Sequence, residues 1–180
     1  MIDSFLRAGC GVLLGLWLVA TPAGAVEDIK PPFGLIWGES ADRLERLLRG
    51  AKAKIVERRS LEDGREAWYV EGLVQTGLKR TVFYFRNTQL TEVELMYQKQ
   101  EWDQPKYDQY MGEVRKWLEK RYGPGQLLAR KTEPNGDVTQ TVVGWKWNQN
   151  NTAVELVYFS AENPAKSQVF RTMSVHYKAN

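Results

Sequence analysis

Cysteine is nearly absent from this chain: Cys10 is the only one in 180 residues. It falls inside Met1–Ala25, which reads as a secretory signal. Arg7 and the free amine supply the positive start, Gly11–Ala20 the apolar run, and Thr21-Pro22-Ala23-Gly24-Ala25 a small-x-small cleavage site. Cleavage is expected after Ala25, leaving a periplasmic or secreted chain with no transmembrane segment. The apolar run is shorter than the ~20 residues that span a bilayer. A lipid-anchor cysteine would follow the apolar run, and Cys10 precedes most of it. The mature chain is then free of cysteine, which removes disulfides, thiol catalysis and zinc–thiolate sites together.

Histidine is equally scarce, since His176 is the only one. No spacing in the sequence gives it a carboxylate partner, so it reads as a strand histidine and not as a ligand or base. There is no Gly-Lys-Ser/Thr phosphate loop and no Gly-x-Ser-x-Gly elbow, and no cofactor is expected. Charge of one sign is lacking too. The net charge of +3 is interspersed, as in Glu62-Asp63-Gly64-Arg65-Glu66, and the signal removes one charge of each sign. Nucleic-acid surfaces carry a single-signed stripe, so none is expected as a partner.

Periodicity is what the chain does have. Tyr107, Tyr110, Met111, Val114, Trp117, Leu118 and Tyr122 recur at steps of three and four, a helix from Asp103 to Pro124. Asp103 caps it, Pro105 sits where a missing N–H costs little, and Gly123-Pro124 stops it. A shorter helix, Ala41–Arg49, follows Ser40, with Leu44, Leu47 and Leu48 inward. Strands are expected over 54–59, 66–73, 79–86 and 91–100, then 126–131, 138–147, 152–160 and 168–178. A short loop over Asn87–Leu90 would set Arg86 opposite Glu92, Phe85 opposite Val93 and Phe83 opposite Leu95. Ala161–Ser167 reads as a long loop.

Landmarks recur at nearly constant offset: Gly50 and Gly123, Gly64 and Gly136, Gly72 and Gly144, and Tyr84-Phe85 with Tyr158-Phe159. These suggest an internal repeat of a helix followed by four strands. The expected fold is α+β: one antiparallel sheet from two pseudo-repeated helix–β-meander units, helices packed on one face. Residues 1–25 form the signal, 26–32 an extended arm, 33–102 the first unit and 103–180 the second.

The front of the mature chain, Phe33-Gly34-Leu35-Ile36-Trp37-Gly38-Glu39-Ser40 with Leu44 and Leu47-Leu48, resembles small exported bacterial proteins of unknown function. The helix-then-meander duplication is similar in architecture to β-lactamase inhibitor proteins and to the outer-membrane assembly lipoprotein SmpA. The chain departs from them in lacking an anchor cysteine, disulfides and a helix pair in each unit. The resemblance implies a protein-binding or envelope role and transfers no functional residue.

Glu92 and Glu94 lie about 7 Å apart on one strand face, a spacing glycosidases use, but basic residues across the sheet, Arg86 among them, account for them more simply. The aromatics are the unusual feature. Trp117 belongs to the helix stripe and is assigned to the core. Trp145 and Trp147 share a strand face that is either core, the favoured assignment for large apolar side chains, or open to a ligand. In the open case they, with Tyr69, suit glycan stacking or a protein hot spot. The sequence thus points to an exported, non-enzymatic binding module acting on another envelope or secreted protein through the open sheet face, the one opposite the helices. A glycan- or peptidoglycan-binding module comes second and a hydrolase using Glu92 and Glu94 third.

Overall fold

The computed structural model describes residues 27–179; the expected signal and its cleavage site lie outside them. Helix α1 spans Ala41–Gly50 and α2 spans Gln104–Tyr122. The strands are β1 Lys54–Ser60, β2 Glu66–Glu71, β3 Leu78–Arg86, β4 Gln89–Tyr97, β5 Gln126–Asn135, β6 Val138–Gln149, β7 Thr152–Asn163 and β8 Gln168–Ala179. The fold is therefore α+β. All eight strands form one antiparallel sheet in the order β1-β2-β3-β4-β8-β7-β6-β5. The two meanders meet along β4 and β8, where Leu95 stands opposite Val175. Edges β1 and β5 lie at the far ends.

Helix termini form as their residues dictate. The Ser40 hydroxyl accepts from the Arg43 N–H at the start of α1, and the Asp103 carboxylate accepts from Lys106 N–H at the start of α2. Both satisfy first-turn donors that have no intrahelical partner. Gly50 remains helical, and Ala51 closes α1. Among the described residues no helix is long and apolar enough to cross a membrane.

Alternation along the strands separates two faces. The inner face carries the core: Phe83, Val93, Leu95, Leu156, Met173 and Val175 are all buried. Helix α2 reaches this face through Tyr107, whose ring lies 5.6 Å from that of Tyr158, and its hydroxyl donates to the Arg171 carbonyl at 3.2 Å. The outer face carries Tyr69, Tyr84, Glu92, Glu94, Glu155 and His176, all partly exposed.

Several expectations are corrected. Trp117 is 47% exposed and Leu47 46%. Each sits one residue before a buried leucine, Leu118 and Leu48, so a 100° step carries it to the rim of the stripe. The β3–β4 loop is the two-residue turn Asn87-Thr88, with φ of 51° and 62°, the twist that suits a two-residue hairpin. Arg86 therefore faces Gln89, Phe85 faces Leu90, Tyr84 faces Glu92 and Phe83 faces Val93, with a bulge at Thr91. The β5–β6 turn is Gly136-Asp137, so Pro134 and Asn135 belong to β5. Ala161–Asn163 extend β7, leaving only a 3-10 turn, Pro164–Lys166, before β8. Of the repeat landmarks, Gly64 and Gly136 both lie in the first turn of their meanders, whereas Tyr84 lies on the outer face and Tyr158 on the inner.

The arm is tied down. Glu27 N–H donates to the Arg121 carbonyl at 3.1 Å. Ile29, 2% exposed, donates its N–H to Gln149 Oε1 at 2.9 Å, and its carbonyl accepts from Trp37 Nε1 at 3.1 Å. Phe33–Gly38 forms packed turns, not a strand, and Gly38 N–H reaches the Leu90 carbonyl at 2.9 Å.

Candidate functional site

The tryptophan pair lies on the inner face. Trp147 is 2% exposed, its indole N–H donates to the Gly123 carbonyl at 2.8 Å, and it fills the space above Gly125. Trp145 is half-buried beneath the Arg115 guanidinium of α2, 4.5 Å from its ring centre. Neither stands on the outer face, so they make no paired aromatic platform there, and Trp147 has no ring to offer a ligand. Tyr69 does lie on the outer face, flanked by the guanidinium groups of Arg59 and Arg80 at 5.4 and 5.7 Å. The sheet keeps it remote in register from both tryptophans, at the opposite end of the strand order.

Adjacent to Tyr69 the outer face forms a band of paired charges. Register sets Glu94, His176, Glu155 and Lys146 side by side across β4, β8, β7 and β6. His176 Nε2 lies 2.8 Å from Glu92 Oε2, off the line of a good hydrogen bond, and the same carboxylate accepts from Arg65. Burial alone would raise Glu92, but His176 and Arg65 outweigh it and hold the carboxyl below its ordinary value. Glu155 is likewise lowered against its burial, by Lys178 at 2.7 Å and Lys146 at 3.2 Å. The Tyr84 hydroxyl donates to Glu94 at 3.0 Å; burial, with that carboxylate beside it, pushes the phenol up. No carboxylate partner for His176 was visible in the sequence because Glu92 is 84 residues away in the chain; only the β4–β8 seam brings them together. Glu92 and Glu94 are both engaged by such partners, Arg65 taking the place expected of Arg86. Among the described residues no cluster of histidine, cysteine and carboxylate side chains could hold a metal.

A groove opens on the other side of the molecule, of about 590 Å³, between the arm and α2 over the β4–β8 seam. Its floor is Leu95, Tyr97, Val175 and Tyr177, at most 5% exposed. One wall is the flank of α2 turned away from the deepest core, with Val114, Trp117 and Arg121 one turn apart. The facing wall is Pro31, Pro32 and Phe33. At the mouth Trp117 and Phe33 are 47% and 44% exposed. Phe33 holds φ at +63°, uncommon for a bulky residue. Burial pushes the Tyr177 phenol up. Charges rim the opening: Glu113 on α2, with Lys30 on the arm and Arg121, which pairs with Glu27. The sequence hid this groove by placing Trp117 in the stripe; its rim position one step before Leu118 was the available signal.

No family model matches this chain, and no curated protein or solved structure matches it.

Proposed function

We propose that this chain is a non-enzymatic binding module of the cell envelope, periplasmic or secreted, which holds a segment of another envelope or secreted protein in the groove between its arm and α2. One observation carries the reading: two half-exposed aromatics, Trp117 and Phe33, flank a ~590 Å³ opening above a floor of buried tyrosine and aliphatic side chains. Ligand sites are typically concave, mostly apolar and of about 300–1,000 Å³, and aromatic anchors dominate protein contacts. The backbone of Phe33 supports it, because such conformations cluster where a fold holds something. The outer face is the weaker candidate, since Glu92 and Glu155 already pair with arginine, lysine and histidine of the same chain and Glu94 accepts from the Tyr84 hydroxyl. The same engagement of Glu92 and Glu94 disfavours a hydrolase.

The groove also suits a fold built from two related halves with both helices on one face. The strand order places like-numbered strands of each meander at like distances from the seam, and the buried leucines of α1 and the buried side chains of α2 join one core cluster. A seam between such halves leaves a natural cleft.

Affinity capture from envelope extract tests the reading with three proteins: wild type, Trp117→Ser and Tyr69→Ser. The same captured partner should be lost with Trp117→Ser and retained with Tyr69→Ser. Retention by Trp117→Ser, or loss only with Tyr69→Ser, overturns it.

A further inference from the structure

The occupant's chemistry can be narrowed from the groove itself, granted that the groove is the binding site. We infer that it accepts an extended, proline-rich peptide segment carrying an acidic residue at one end and a basic residue at the other.

Three features carry this. The groove is walled and floored by rings, with Trp117 and Phe33 at the mouth and Tyr97, Tyr122 and Tyr177 below. Aromatic-lined grooves take polyproline II segments, because the prolines present flat apolar rings and the stiff chain loses little entropy on docking. The chain already places Pro31 and Pro32 against this lining, with Pro31 buried, so proline rings and these aromatics are compatible neighbours.

Tyr177 adds the polar handle. The residue is 5% exposed and lines the groove. A polyproline II backbone makes no internal hydrogen bonds, so its carbonyls are free to accept from such a phenol.

Charge complementarity sets the ends. Glu113 and Arg121 stand on one wall, eight helical residues or about 12 Å apart. Lys30 joins Arg121 in lining the groove and makes no ion pair among the described residues. Four polyproline II steps span about 12 Å and five about 15 Å, a difference that long charged side chains at the ends take up. A segment of that length with a basic residue beside Glu113 and an acidic residue that pairs with Lys30 and competes with Glu27 for Arg121 matches the rim.

The test titrates the protein with Arg-Pro-Pro-Pro-Pro-Glu and with the reversed Glu-Pro-Pro-Pro-Pro-Arg, read by tryptophan fluorescence and by NMR shifts of groove amides. At least one peptide should bind saturably and shift Val114, Trp117 and Val175, leaving Glu155 and Lys146 unmoved. Tyr177→Phe should weaken it about fivefold, the loss of one hydrogen bond, with an unchanged melting temperature. Trp117→Ser should weaken it at least as much. Failure of both peptides to bind overturns the inference. So does equal binding of an Arg-Gly-Ser-Gly-Ser-Glu control, which would mean charge alone, or saturable binding of a glycan oligomer on the same residues instead. If the peptides fail while Trp117→Ser still abolishes capture of the partner, the ligand class falls and the binding reading stands; if capture is also indifferent to Trp117, both fall.

Discussion

Leu95 and Val175 stand directly opposite each other on β4 and β8, and together they floor the groove. The one hydrogen-bonded seam between the two meanders is thus also the base of the candidate binding site. Both side chains are nearly inaccessible, so the site's floor is part of the core. These two aliphatic side chains confer no specificity, which comes from the Tyr177 phenol and from the walls, where Trp117, Phe33 and the rim charges stand.

Phe33 should trade stability against binding. Its φ of +63° is a conformation that costs a side-chain-bearing residue about 1–2 kcal/mol and glycine almost nothing. The residue is 44% exposed, so the burial lost on truncation roughly offsets that relief. Phe33→Gly should therefore leave the denaturation midpoint nearly unchanged while weakening capture of the partner. A large drop in stability would mean that the ring is a core element.

The two strand tryptophans should behave unequally. Trp147→Ala removes a buried side chain that donates to Gly123, and is expected to cost about 3–5 kcal/mol in urea denaturation. Trp145→Ala removes a half-buried ring beneath Arg115 and should cost less than half of that. Equal costs would contradict the placement.

Gly125 should resist substitution for the same reason. A Cβ there would lie 2.5 Å from the Trp147 indole, which is rigid and pinned by its hydrogen bond. Gly125→Ala is expected to destabilise by about 1–3 kcal/mol through overpacking, and Gly125→Ala with Trp147→Phe should recover part of it.

Most of the fold was legible because its signals are local. Ser40 and Asp103 cap helices by their own side chains, and β4, β7 and β8 alternate buried and half-buried residues over most of their length. What was misread depends on distance or on small angles. The Asn87-Thr88 turn needs two residues at positive φ that neither residue type advertises as glycine would. One misplaced loop then shifted the β3–β4 register by two, which hid the pairing of Tyr84 with Glu92. The ion pairs of Glu92 with Arg65 and His176 arise only once β2, β4 and β8 are in register. Trp117 was misplaced by a single 100° step, and with it the groove.

Acid should weaken the outer face. Glu92 and Glu155 hold their protons less tightly in the fold than the ordinary value of 4.5. Their contribution is present in full above the unfolded carboxyl value and is lost as pH falls through the lowered folded values. Melting temperature should therefore decline below about pH 4.5. Glu92→Gln should flatten that decline while leaving groove binding at neutral pH intact. An identical acid limb in the variant would contradict the pairing with Arg65 and His176.

The most direct test of the groove is site-specific photo-crosslinking in the native envelope, with benzophenone side chains placed singly at Phe33 and at Tyr69. Both positions are exposed enough to tolerate the probe, and they lie on opposite faces of the molecule. The groove account predicts one discrete cross-linked species from position 33 and none from position 69. A discrete species from position 69, with none from position 33, would contradict it.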